Sequence, residues 1–196
     1  YLEAVARFDA RKAYEILMRA ATFLDRRELV FGMIVPLVQD VGSKWSFGEL
    51  GIAQEHMVSS QIRSVVSSLL RFAPPRPDAP QLLMTTPPGH RHELGILVAA
   101  LLTATKGLDP LYLGPDLPFE ELRWALEMSA ARIVVLSVVR DMTPAELQAL
   151  PVFLEQLPED VEVWLGVPAE HPLTRMVHVT RLFHDFETFD RALEGL

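Results

Sequence analysis

The sequence predicts an α/β protein in two parts: a helical bundle over residues 1–72, then a parallel sheet covered by helices over residues 81–196. Three observations predict it. Residues 1–72 carry only helix-period apolar patterns. Ala73-Pro74-Pro75-Arg76-Pro77-Asp78-Ala79-Pro80 is a proline-rich linker that cannot continue a helix. Beyond it, short apolar runs alternate with helical patterns, as in a parallel sheet covered on both faces.

In the bundle, Leu2, Val5, Ala6, Phe8, Ala13, Ile16, Leu17 and Ala20 recur near the helical period, so residues 1–24 read as one helix. Asp25 is a good N-cap, with Glu28 at the capping-box position. A second helix runs from there toward Val41, with Pro36 as a kink point and Gly42 ending or bending it. Residues 43–50 read as a turn holding two aromatics, Trp45 and Phe47. A third helix covers residues 51–72, with a stripe of Ile52, His56, Val58, Ile62, Val65, Val66, Leu69 and Leu70. Helices of this number and length make a small bundle.

After the linker, strands are predicted at residues 81–86, 111–113, 132–137, 161–165 and 176–179. Helices are predicted at 92–106, 118–128, 143–156 and 186–196. Arg132-Ile133-Val134-Val135-Leu136 has the composition of a central buried strand.

Composition excludes several functions. Hydrophobic residues make up 49% of the 196, enough for a core. The formal net charge is −8 and no basic patch is visible, so this chain is not expected to grip DNA itself. There is no cysteine, which excludes disulfides, thiolate metal sites and cysteine nucleophiles and fits a cytoplasmic protein. No apolar run approaches the roughly 20 residues of a membrane span, and no signal peptide is visible. The chain opens at Tyr1, already in a helical pattern, which reads as a piece of something longer.

The densest chemistry lies in Thr85-Thr86-Pro87-Pro88-Gly89-His90-Arg91-His92-Glu93-Leu94-Gly95. It links a strand to a helix, so His92 falls at a strand's carboxyl end, where open α/β sheets bind ligands. A neutral imidazole ligates metals. On spacing alone, His90 and His92 read equally as solvated loop residues. Ser137 ends the central strand at the same edge, and Tyr112-Leu113-Gly114-Pro115-Asp116 ends another. Three strand ends thus converge on one crevice. His171, His178 and His184 carry little ligand signal, and Met33, Met57 and Met84 read as core.

A helical bundle followed by an α/β domain with this loop resembles a cobalamin-binding module with a Rossmann-like (flavodoxin-like) sheet. The family signature is an acidic residue, any residue, the ligand histidine, two residues and glycine; a Ser-x-Leu and a Gly-Gly follow at later strand ends. The resemblance covers essentially the whole chain. Trp45, nine intervening residues, then Glu55-His56 resembles the motif of MerR-type, CarH/LitR-like light-responsive regulators. Thr85 to Gly89 and Tyr112 to Asp116 also look like that branch.

The resemblance implies His92 as the axial ligand to cobalt, in place of the cofactor's own benzimidazole. It implies a cofactor-binding set of Trp45, Glu55, His56, Thr86, Gly89, His90, Gly95, Leu113, Gly114, Ser137, Val138, Val139 and Gly166. The cofactor implied is adenosylcobalamin or methylcobalamin, with the bundle over the upper face and Trp45 against the upper ligand. The function implied is a non-enzymatic light sensor of a transcriptional regulator. Light would change domain packing or oligomeric state, in a homo-oligomer that meets DNA only through an N-terminal domain absent here.

The departures are specific. His90 stands where the family has an acidic residue, Ser137-Val138-Val139 replaces Ser-x-Leu, and Gly166-Val167-Pro168 replaces Gly-Gly. Ser46 follows the tryptophan where some photoreceptors carry a histidine, so no bis-histidine photoproduct is expected from that position. These departures keep two other functions open. One is a protein-interaction or dimerisation module, or a domain for another tetrapyrrole. The other is a corrinoid protein that carries methyl groups.

Overall fold

In a computed structural model, Phe8 adopts a φ of +55° and breaks the first helical pattern into α1 (Leu2–Ala6) and α2 (Ala10–Phe23). The sequence predicts one helix here because the apolar period runs through the break. What interrupts it is a cap: Asp9 accepts the backbone N–H of Lys12 at 2.9 Å and opens α2. The structure describes residues 1–46, 50–176 and 179–196, and of residues 42–46 the backbone alone. The chain forms two compact units, residues 1–73 and 74–196.

In the first unit, Asp25 and Glu28 form the expected capping box of α3 (Arg26–Leu29). A π-turn, Val30–Ile34, leads into α4 (Val35–Ser46). Pro36 has no N–H and its ring would crowd the carbonyl one turn back, so widening the preceding turn absorbs the proline without ending the helix. Contrary to the sequence reading, α4 runs through Gly42 to Ser46, so the start of the expected turn is helical. Phe47, within that expected turn, lies outside the described residues.

The last helix of this unit is α5 (Ile52–Arg71). Val58, Ile62, Val65 and Val66 of α5 bury with Val5, Ala13, Leu17, Leu29 and Ile34. Gln61 donates to the carbonyl of Ala10 at 2.8 Å and accepts the Tyr1 hydroxyl at 2.9 Å, which satisfies polar groups beside the α1–α2 break. Ile52 and His56, expected in the apolar stripe, are exposed.

The second unit is a five-stranded parallel sheet of order β2-β1-β3-β4-β5. Its strands are β1 (Gln81–Thr85), β2 (Asp109–Tyr112), β3 (Ile133–Ser137), β4 (Glu162–Gly166) and β5 (Arg181–Phe183). The helices are α6 (Leu94–Thr105), α7 (Phe119–Met128), α8 (Pro144–Leu154) and α9 (Phe186–Leu193). The fold is α/β, as predicted. Of the strand expected at residues 176–179, residues 177 and 178 lie outside the described residues; a 3-10 turn, Pro172–Arg175, precedes Met176, and the last described strand starts at Arg181.

Alternation along the strands sorts the core into two layers. Leu83, Val134, Leu136, Val163 and Leu165 pack with Leu122 and Leu126 of α7 and Leu150 and Phe153 of α8. On the other face, Thr103 of α6 donates to Met84 Sδ at 3.7 Å, and Trp164 meets Phe183 and Phe189 at ring distances of 5.4 and 6.0 Å. Among the described residues, no helix is long and apolar enough to cross a membrane.

Candidate functional site

The order 2-1-3-4-5 reverses direction between β1 and β3, so the loops leaving those strands diverge and open a crevice at their carboxyl ends. The loop after β1 carries Thr86, Gly89, His90 and His92; the one after β3 carries Val138, Val139 and Arg140.

Two buried threonines tie the β1 loop to the β2 loop. The Thr85 hydroxyl donates to the Gly114 carbonyl at 2.7 Å. The Thr86 hydroxyl donates to the His90 carbonyl and accepts the Asp116 N–H, the latter at 2.8 Å. Leu113 N–H bonds the Met84 carbonyl at 3.0 Å. Asp116, at φ +62°, accepts the Gly89 N–H at 2.7 Å and Arg91 Nε at 3.2 Å. The Gly89 N–H first, and then Arg91, hold its carboxyl below the usual range. Gly89 has φ +82°, which glycine reaches without Cβ strain. The structure thus brings Thr86, Gly89, His90, Leu113 and Gly114 together. It adds Asp116, whose only sequence signal is the Gly-Pro-Asp turn.

The two histidines of this loop part company. His90 is 2% exposed, and neither of its ring nitrogens has a hydrogen-bond partner among the described residues. Burial first, then the Arg140 charge, pushes its pKa down, so the ring is neutral. His92 is exposed. No hydrogen bond joins the two rings among the described residues. Residue 90 therefore does not take up the orienting bond that an acidic residue would make.

Behind His92, α6 opens at Leu94, and Gly95 lies against β3. A Cβ on Gly95 would stand 3.1 Å from Ser137 Oγ and 3.9 Å from Val139 Cγ1. Gly95, Ser137 and Val139 therefore meet at one point, with Val139 exposed. Val138 is buried and donates its N–H to the Gly166 carbonyl at 2.9 Å. Val167 turns into the core beside Leu173, its N–H on the Phe183 carbonyl at 2.9 Å and its own carbonyl accepting His184 Nδ1 at 2.8 Å.

A further group was not singled out from the sequence. Arg140 donates through Nη2 to the Gly89 carbonyl at 3.1 Å and to Glu146 Oε1 at 2.5 Å. Glu146 also accepts the Thr143 N–H at 2.7 Å in the capping box of α8. Arg140, followed by the Thr143 backbone, pulls the Glu146 carboxyl down to about 2. The Thr143-x-x-Glu146 spacing is a capping-box pattern that could have marked Glu146, but its second use depends on Arg140. Buried His171 is a satisfied structural histidine: its Nδ1 accepts the Leu173 N–H at 3.3 Å and its Nε2 donates to the Arg140 carbonyl at 3.2 Å.

In the first unit, Glu55 accepts the Ser59 hydroxyl at 2.5 Å and pairs with His56 Nδ1 at 2.8 Å. The backbone of Trp45 and Ser46 is in α4; their side chains, and His178, lie outside the described residues. Among the described residues no three His, Asp or Glu side chains cluster as a metal cage.

Comparison with known proteins found the following similarities. The family described as "B12 binding domain" matches residues 1–70. The chain is 30% identical over 193 residues to the HTH-type transcriptional repressor CarH of Myxococcus xanthus, covering 97% of this chain and 64% of CarH. It is 28% identical over 150 residues to the HTH-type transcriptional repressor CarA of the same organism, covering 76% of this chain and 50% of CarA. The chain therefore spans between half and two thirds of these relatives. The monomethylamine corrinoid protein of Methanosarcina barkeri superposes with a TM-score of 0.72 over 99% of this chain and 95% of its own, at 17% identity, and so shares the fold.

Proposed function

We propose that this chain, which matches the B12 binding domain over residues 1–70 and is similar to CarH over 193 residues, is the light-sensing part of a cobalamin-binding transcriptional regulator with His92 as its cobalt ligand. The observation that carries this reading is the placement of exposed His92 at the β1–β3 switch point, just ahead of Gly95 on Ser137.

The residues present fit the group. His92 offers an imidazole nitrogen donor of the kind cobalt accepts. Gly95 leaves the space beside the Ser137 hydroxyl free of a side chain. Thr86 and Asp116 hold the loop from the β2 side. Thr86, Gly89, Leu113, Gly114, Ser137, Val138, Val139 and Gly166 would line the site. When bound, cobalamin supplies a carbon–cobalt bond that light can break. His92 binds and orients; buried His90, whose ring has no partner among the described residues, gives it no orienting bond. Sensing ends in a change of oligomeric state. The chain's net charge of −8 does not suit it to grip DNA, so that contact falls to another part of the regulator.

The test is reconstitution in the dark with adenosyl- or methylcobalamin, removal of free cofactor, and sizing before and after green light. A retained corrin with a light-dependent change in size is expected. A colourless protein of unchanged size would leave the interaction-module function in its place.

A further inference from the structure

Gly89 is gripped at both of its backbone polar groups by charged side chains from opposite sides of the crevice. Its N–H donates to Asp116 at 2.7 Å, and its carbonyl accepts Arg140 Nη2 at 3.1 Å. Arg140 is itself fixed. Its Nη2 meets Glu146 Oε1 at 2.5 Å and its Nη1 meets Glu146 Oε2 at 3.3 Å, a two-pronged pair. Its backbone carbonyl accepts His171 Nε2 at 3.2 Å. Glu146 cannot drift, because the Thr143 N–H holds it at 2.7 Å at the start of α8. The packing is close: a Cβ on Gly89 would stand 2.6 Å from Glu146 Oε1 and 3.1 Å from Arg140 Nη2.

Two residues, His90 and Arg91, separate this grip from His92. His90, in between, has both ring nitrogens without a partner among the described residues. The order of the loop therefore comes from Gly89 and the Thr86–His90 contact, not from the ring of residue 90.

We propose that Arg140, held by Glu146, is a positioning residue that fixes the β1 loop at Gly89 and thereby sets where His92 presents its imidazole. The proposal rests on His92 as the cobalt ligand for its consequence, and on the Arg140–Gly89 contact for its cause. The two are separable by experiment.

Hydrogen exchange on the cofactor-free protein tests the cause. In Arg140→Ala the hydrogen-bonded amides of Gly89 and His90 should exchange about tenfold faster or more, while those of β3 and α8 keep their rates. Arg140→Lys, which keeps a donor, should recover part of the protection. Glu146→Gln, which keeps an acceptor for Thr143, should fall between wild type and Arg140→Ala. An unchanged loop, or equal acceleration across β3 and α8, would overturn the positioning role. The visible spectrum of dark-reconstituted Arg140→Ala tests the consequence: it should move toward that of His92→Ala. A wild-type spectrum would overturn that consequence. If wild type and His92→Ala were themselves identical, the ligand assignment would fail, while the exchange result would still decide the role of Arg140 in the loop.

Discussion

Ser137 Oγ occupies the space a side chain on Gly95 would need, 3.1 Å from its Cβ position. A glycine in the first turn of α6 is thus explained by close approach to β3 rather than by backbone conformation.

It follows that Gly95→Ala and Ser137→Ala are coupled. Alanine at 95 forces the hydroxyl aside; removing the hydroxyl relieves the crowding. A double-mutant cycle in urea should show a coupling of about 0.5 kcal/mol or more. Strictly additive effects would mean that the two residues do not meet.

Thr86 serves two backbone groups from a buried position, the His90 carbonyl and the Asp116 N–H. Thr86→Val keeps the shape and strands both groups. The expected loss is about 1–3 kcal/mol by chemical denaturation, with Thr86→Ser restoring most of it. A loss in the valine variant no larger than in the serine variant would contradict the double role.

Glu146 should make the second unit acid-sensitive in a defined window. Its carboxyl is lowered from 4.5 to about 2, chiefly by Arg140. A depressed carboxyl contributes stability that is full above its unfolded value and is lost as pH falls through its folded value. Wild type should therefore lose more stability than Glu146→Gln between pH 4.5 and 2, and the two curves should approach each other there. Parallel curves across that window would show that the pair contributes nothing.

Much of this was legible in sequence, for physical reasons that differ by residue. The parallel sheet showed through continuous apolar runs such as Ile133 to Leu136, buried on both faces. Asp25 and Glu28 announced a helix start because capping is local chemistry. What escaped was long-range or strained. The Phe8 break is hidden because the apolar period runs across it, and the Pro36 kink became a π-turn one turn earlier. The His90, His92 and Gly95 cluster was visible as spacing, but the burial of one histidine and exposure of the other depends on packing. Arg140 reaches Gly89 across 51 residues, a contact no local pattern encodes.

The visible spectrum of the dark-reconstituted protein, compared with that of His92→Ala, tests the central claim most directly. A retained corrin whose wild-type spectrum shows nitrogen ligation, and whose His92→Ala spectrum shifts to an unligated form, is the expected result. Identical spectra in the two proteins would contradict His92 as the cobalt ligand.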